Sequence, residues 1–376
     1  MKNIYHFILD HRIGGPHVYV TSIRDFARRG ESEIVVTTGK GPITDIALLN
    51  LRHVWWPLYI LEVPFNIAQI LWFVFSGKIC VTDAIFHIHG VSNVAPLYAA
   101  RVFGIPVLWH LHEVSTNFRW IFNIGKMALK KGRFYIAVVA RRCESAYALR
   151  DSVFLPGAID HEFWRPAMTM QMHTTELDGG LGWDASNCEN PLRLLVVGNL
   201  NPTKGLDILF SALNEARRPV VLKVVGAELT THGSYAKNLY AYAESVRSGN
   251  NDLLIEFLHW QDRVVVRELM AGCHAFVLPS RSEACPLVLL EALAMGCHCV
   301  AADVGDVRLM LAHDERHRVF QPGAVDELRE ILQTLEATPT LPGLHSSYVY
   351  EWSLERLVAK IESIYGELRK SSSKFT

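Results

Sequence analysis

Short apolar runs alternate with longer helical patterns twice along this chain, and that alternation constrains the fold more than any single motif. In the first series, strands are predicted at Ile4–Leu9, Ile34–Thr37, Ala84–Ile88, Val107–His110 and Tyr135–Val139, with helical stretches such as Val18–Arg29 and Val91–Phe103 between them. The second series has strands at Leu192–Val197, Val220–Val225, Leu253–Phe257, Ala275–Leu278 and Cys299–Ala301. Its helices are expected at Gly205–Ala216, Ser234–Arg247, Arg263–Ala271 and Leu287–Met295. Repeated strand–helix units predict parallel sheets with helices on both faces. The reading is therefore two doubly wound α/β domains, which suits a chain of 376 residues. Domain bounds are expected at 1–166 and 191–350, joined by a linker over 167–190 that contains Gly179, Gly180 and Gly182 and has no periodicity. The stretch Trp352–Leu368 reads as one amphipathic helix. Ligands of such sheets bind at the carboxyl ends of strands, and two sheets facing one another would enclose a central cleft.

Charge narrows the partners. The net charge is −1 with 20 % charged residues, which gives no reason to expect nucleic acid as a partner. The charge is uneven, however. Residues 1–165 carry 18 basic and 12 acidic side chains, a balance of +6, which leaves −7 for the remainder. A basic half joined to an acidic half points to different partners for each. Eight basic residues lie between Arg119 and Arg150 against Glu144 alone, next to Phe118, Trp120, Ile121 and Phe122. That mixture suits an anionic membrane surface as well as a solvated helix face. The seven cysteines are odd in number and show no CxxC spacing, so reduced thiols in a cytoplasmic protein are expected. The first residues are charged too soon for a signal peptide. Val54–Phe75 is broken by Pro57, Glu62, Pro64, Asn66 and Gln69, and only Phe65–Phe75 remain after Pro64, too few to span a membrane, so an interfacial or buried helix is expected in this stretch.

Four strand ends carry candidate chemistry. After Leu278 comes Pro279-Ser-Arg-Ser-Glu283-Ala284-Cys285-Pro286-Leu287-Val288-Leu-Leu-Glu291. Pro286 is suited to a first helical turn, and the unpaired amides of Leu287 and Val288 make an anion site. Glu291 lies among leucines and needs partners for its carboxylate, which an arginine, solvent or a ribose diol could supply. After Val197 comes Gly198-Asn199-Leu-Asn-Pro-Thr-Lys204-Gly205, where a lysine beside a helix start suits a diphosphate, although an ordinary βα turn looks the same. After the first strand, Gly14 and Gly15 permit close backbone approach to a ligand or form a simple turn. After Val107–His110 come His112 and Glu113; a histidine pair two residues apart with no third ligand nearby in sequence does not predict a metal site.

The spacing of Glu283 and Glu291, between a Pro-Ser strand end and a Leu-Glu-Ala-x-Ala-x-Gly helix, resembles the signature of family-4 retaining glycosyltransferases. The resemblance implies the GT-B fold. It implies that Glu283 approaches the donor sugar, that Glu291 binds the nucleotide ribose, and that Lys204 holds the diphosphate. Gly14 and Gly15 are similar to the loop that closes over donor and acceptor. His112-Glu113 is similar to a strand-end His-Asp whose histidine reaches the sugar. His87 and His89 resemble the preceding His-x-His strand and are expected to be structural or acceptor-side. Trp352 and the helix after it resemble the segment that crosses back onto the first domain. The chain departs from the pattern at Asn199, where an arginine is usual, and at Ala284-Cys285-Pro286, where Gly-Phe-Gly or Gly-Phe-Pro is usual.

The expected activity is retaining, hexosyltransferase-type transfer from a nucleotide diphosphate sugar to a hydroxyl of a glycan or lipid-linked glycan, as in cell-surface polysaccharide or lipopolysaccharide synthesis. Glu283, Lys204 and His112 would act on the donor; Gly14, Gly15, Gly198, Asn199, Ala284, Cys285, Pro286, Leu287, Val288 and Glu291 would line its site. No cofactor and no metal are expected, since no Asp-x-Asp stands where a metal would meet the diphosphate. The expected place is the cytoplasm, at the inner face of the cytoplasmic membrane. The competing readings are a nucleotide-sugar epimerase on the same fold and a non-enzymatic module that binds nucleotide sugar or glycan.

Overall fold

The computed structural model describes residues 3–9, 15–27, 32–49, 59–114, 116–129, 133–165, 191–229, 232–337 and 346–370. The proposed linker 167–190, Gly14, Lys130 and Lys131 lie outside the described residues. The chain divides into two compact units, Met1–Ala158 with Leu354–Thr376, and Ile159–Ser353.

The first unit is a seven-stranded parallel sheet. Its strands are β1 (Asn3–Ile8), β2 (Ser32–Thr38), β3 (Ile46–Leu48), β4 (Ala84–His89), β5 (Val107–Leu111), β6 (Phe134–Val138) and β7 (Val153–Phe154), in the spatial order β3-β2-β1-β4-β5-β6-β7. The central strands are buried along their whole length, as β4 shows with Ala84–His89, because helices cover both faces of a parallel sheet. The two short outer strands β3 and β7 escaped the sequence reading: three and two residues are too few to show a period.

The helix Tyr59–Phe75 starts before Pro64 and runs through it. Pro64 forfeits one ladder bond. The turn around it gains side-chain bonds instead: the Asn66 amide donates to Leu49 O at 3.2 Å and to Glu62 Oε1 at 3.5 Å. No described helix is long and apolar enough to cross a membrane.

The helix Leu354–Lys370 buries Leu357, Val358, Ile361, Ile364, Tyr365 and Leu368. These pack with Ile4, Ile8, Val20, Ile23, Ile85 and Leu108 in one apolar cluster. The chain therefore ends its fold inside the first unit, and Tyr365 Oη meets His87 Nδ1 at 2.7 Å.

The second unit is a six-stranded parallel sheet of β8 (Leu192–Val197), β9 (Val220–Val225), β10 (Leu253–Phe257), β11 (Ala275–Leu278), β12 (His298–Ala302) and β13 (Arg318–Phe320), ordered β10-β9-β8-β11-β12-β13. Strand order reverses between β8 and β11. At such a point the two following loops diverge to opposite faces and open a crevice at the carboxyl ends. The chain leaves this unit twice at one place, where Ile159 N–H bonds to Trp352 O at 3.0 Å.

Ile361 tests how much the returning helix contributes. Ile361→Ala is expected to lower the unfolding free energy by about 2–5 kcal/mol, the usual range for a buried isoleucine truncated to alanine, read by urea unfolding followed by circular dichroism.

Candidate active site

The loops after β8 and β11 meet at the strand-order reversal of the second unit. Lys204 Nζ lies 2.6 Å from Glu283 Oε1, and Ser280 Oγ donates to that same oxygen at 2.9 Å. Both contacts fall on Oε1; Oε2 makes none with the described residues. A second clamp holds the two loops together. Arg281 grips Asp207 through two bonds of 2.8 and 2.6 Å and donates to Pro202 O at 2.8 Å, while its backbone N–H reaches Thr203 O at 2.7 Å. The Arg281 guanidinium holds the Asp207 carboxyl below its usual range. Nothing in the sequence marks this pair, because 74 residues separate its members.

Glycine makes the approach possible. Gly205 has φ +66°, and a Cβ there would stand 2.1 Å from Pro279 O, in the other loop. Gly198 packs on the Lys204 stem: a Cβ would meet Lys204 Cε at 3.3 Å. Gly305, at φ +51°, approaches Ala284 O, and Asp306 N–H donates to that carbonyl at 3.0 Å. The turn after β12 thus supports the Glu283 loop from below, a contribution missing from the sequence reading. Asn199 is partly exposed beside Gly198.

The helix Leu287–Ala294 follows Pro286, which caps it without a side-chain bond. Leu289 N–H bonds Pro286 O at 3.0 Å, and the N–H groups of Leu287 and Val288 bond to none of the described residues. This leaves two donors at a helix N-terminus beside Lys204 and Glu283 in the same unit. Glu291, further along that helix, makes no hydrogen bond or ion pair with the described residues. Burial pushes its carboxyl up to about 7, against a smaller pull from Arg263. Among the described residues no arginine pairs with this carboxylate. Arg263 instead lies over the Phe163 ring at 4.4 Å.

In the first unit, His112 follows β5. Its Nε2 is 3.1 Å from His89 Nδ1, and its backbone N–H donates to Glu113 Oε2 at 3.2 Å. The same oxygen accepts from Val91 N–H at 2.9 Å. Gly90, at φ +88°, admits this carboxylate: a Cβ would sit 2.8 Å from Glu113 Oε1. His112 does not stand alone. His6, His87, His89 and His110 are buried beside it on β1, β4 and β5, so the third histidine that sequence spacing lacked is supplied by a neighbouring strand. Tyr19 sets its ring edge-on to His89, His110 and His112 at 5.0–6.0 Å. Burial holds the His6 and His112 rings down at about 3. It also depresses His87, His89 and His110, with the neighbouring histidines adding to the shift. The first residue of the expected glycine loop that is described, Gly15, starts the helix Gly15–Ala27.

Comparison with known proteins follows this geometry. Residues 184–349 match the family model of the glycosyl transferases group 1. A Bacillus anthracis N-acetyl-alpha-D-glucosaminyl L-malate synthase is 30 % identical over 30 % of this chain and 32 % of its own length. An Arabidopsis thaliana sulfoquinovosyl transferase is 25 % identical over 83 % of this chain and 62 % of its own length. These matches span less than two thirds of either relative. The structure of Anabaena HepE in complex with UDP and glucose superposes with a TM-score of 0.75 at 16 % identity, covering 98 % of this chain and all of that one. An apo lipopolysaccharide outer core galactosyltransferase, WaaB, gives 0.69 at 14 % identity, covering 98 % of this chain and 99 % of that one. The architecture is GT-B.

The buried histidines make the first unit acid-sensitive. Their folded values lie below the ordinary 6.5, so the unfolded chain takes up protons first as pH falls. The stability they allow is whole above about 6.5 and is lost progressively towards about 3. Urea unfolding at pH 7 and pH 5 is expected to show a marked fall. The fall should be smaller in His87→Phe, which removes one of the titrating rings.

Proposed function

We propose that this chain, whose residues 184–349 match the glycosyl transferases group 1, moves a sugar from a nucleotide diphosphate donor to a hydroxyl acceptor. The observation that carries the proposal is the cluster at the β8–β11 reversal: an ammonium, two helix-end amides and a carboxylate oxygen that bond to none of the described residues, with the two loops tied together by the Arg281–Asp207 clamp. The cation and amides suit the leaving diphosphate, whose growing negative charge they would stabilise most as the glycosidic bond breaks. Glu283 Oε2 is placed to accept from a sugar hydroxyl. Glu291, whose carboxyl bonds to none of the described residues, would accept from the two ribose hydroxyls. His112 keeps the donor-sugar role that the family resemblance gives it, through Nδ1, since Nε2 is engaged with His89.

Retention follows in this reading from same-face attack, with the leaving phosphate accepting the acceptor's proton. No protein base is required, and the donor site needs no metal. The HepE complexes with UDP and with UDP-glucose support a uridine nucleotide as the first donor to try. The acceptor in this reading is a glycan or lipid-linked glycan at the inner face of the cytoplasmic membrane. Supporting it, the helix Tyr59–Phe75 presents Phe65, Trp72 and Phe75 at 60, 67 and 78 % exposure, and Arg119–Leu129 presents Trp120, Ile124 and Met127 beside Lys126. Exposed aromatic and basic side chains suit a headgroup layer.

Incubation with a panel of nucleotide sugars is expected to release nucleoside diphosphate with sugar appearing on an added acceptor, undiminished by EDTA. Epimerised donor without transfer would favour the epimerase reading, and loss of turnover in EDTA restored by Mg²⁺ would end the metal-free one.

Lys204→Ala is expected to weaken nucleoside diphosphate binding by calorimetry far more than binding of the free nucleoside. Equal weakening of both would assign Lys204 a structural role through Glu283.

A further inference from the structure

We propose that the first unit carries a three-histidine site for a divalent first-row transition ion, of which Zn²⁺ is the type, formed by His89, His110 and His112. One ring nitrogen from each of the three lies within 4.8 Å of the others. His89 Nδ1 and His112 Nε2 are 3.1 Å apart. Bonds of about 2.0–2.1 Å in tetrahedral array require nitrogens about 3.3–3.4 Å apart, so this pair is already near the spacing that a shared ion imposes.

The hydrogen bonds around the trio decide which atoms face inwards. His110 Nε2 lies 3.0 Å from Leu155 O. A carbonyl can only accept, so that nitrogen carries the proton. In the neutral ring Nδ1 then carries a lone pair, and it is buried with no hydrogen-bond partner among the described residues, in a residue that is 0 % exposed. A buried acceptor without a donor calls for an explanation, and an ion is one. His89 repeats the arrangement: its Nε2 is 3.2 Å from His6 Nδ1. With the His89 proton on Nε2, donated to His6, Nδ1 is free to bind. His6 in turn points Nε2 towards Glu33, 3.8 Å away. Each inner ligand is thus backed by an acceptor that fixes its tautomer, the arrangement that raises ligand basicity in metal proteins. His112 is the partly exposed member, so a fourth position on its side stays available for water or a ligand hydroxyl. Imidazole donors select zinc, copper, nickel or iron over magnesium or calcium, so this site is separate in chemistry from the diphosphate-binding group of the second unit.

A competing trio, His6, His87 and His89, is also within 4.8 Å. It would need the proton of His89 moved to Nδ1, towards His112, and it leaves the lone pair of His110 unexplained. Its His87 is tied to Tyr365 Oη at 2.7 Å.

The test uses the full chain without a histidine tag, freed of metal and titrated with Co²⁺. One equivalent is expected to bind with the intense visible bands of four-coordinate cobalt, and Zn²⁺ should displace it. His110→Gln, shown folded by circular dichroism, should weaken Co²⁺ by more than the about 10–100-fold that loss of an outer-shell partner costs. His6→Gln should weaken it by about that outer-shell amount, and His87→Gln should leave it unchanged. If His110→Gln does not fold, the partly exposed His112→Gln gives the same reading. Absence of the bands, or unchanged affinity in a folded His110→Gln or His112→Gln, would overturn the site. So would loss of binding in His87→Gln alone, which would move the ion to the competing trio. Binding is read without turnover, so the site can fail while the proposed sugar transfer stands, and the reverse.

Discussion

Parallel strands cannot be joined by a tight turn, and everything functional in this protein follows from that constraint. Each return connection must cross the sheet, usually as a helix, so every strand in both units points the same way. All strand carboxyl ends then fall along one edge, and the loops that leave them collect there. In the second unit the reversal of order between β8 and β11 brings two of those loops together. Lys204 and Glu283, 79 residues apart, become a 2.6 Å ion pair as a consequence of strand order.

Backbone proximity, more than charge, sets the precision of that pair. A partly exposed ion pair contributes little stability by itself, and an unsupported lysine would wander. Here Gly205 lets its loop touch Pro279, Arg281 ties across to Asp207, and Gly305 and Asp306 hold the Ala284 carbonyl. Asn199 and Ala284-Cys285 depart from the usual family residues, yet the donors that matter near them are main-chain amides. Main-chain donors survive changes of side chain, so these departures leave the N–H groups of the helix start in place.

The first unit solves a different problem. Four buried imidazoles on three adjacent strands and a fifth, His112, just after β5, with Tyr19 against them, form a polar seam beside an apolar core. Burial keeps the rings neutral, which makes each one both a donor and an acceptor and lets His6, His89 and His112 chain by hydrogen bonds, with Glu33 3.8 Å from His6 Nε2 at the far end. The orientation of His112 therefore depends on the histidines of neighbouring strands. The helix Leu354–Lys370 takes part as well, since Tyr365 fixes His87 from the far side.

Read from the sequence alone, local periodicity defined ten of the thirteen strands, the doubly wound class and the strand ends where chemistry gathers. The two glutamates were legible because both lie in one short segment after one strand. The three strands that were missed, β3, β7 and β13, have two or three residues each, too few for an alternation to register. That a helix runs through Pro64 was not legible, because the bonds around the proline come from side chains, one of them to Leu49, seventeen residues away in sequence. Tertiary structure alone decided the rest. The Arg281–Asp207 clamp, the support of Gly305 beneath the glutamate loop and the joining of His6, His89, His110 and His112 all depend on lateral strand order. Helical and strand periodicity report which face of an element is buried, and they carry no information about which element lies beside it.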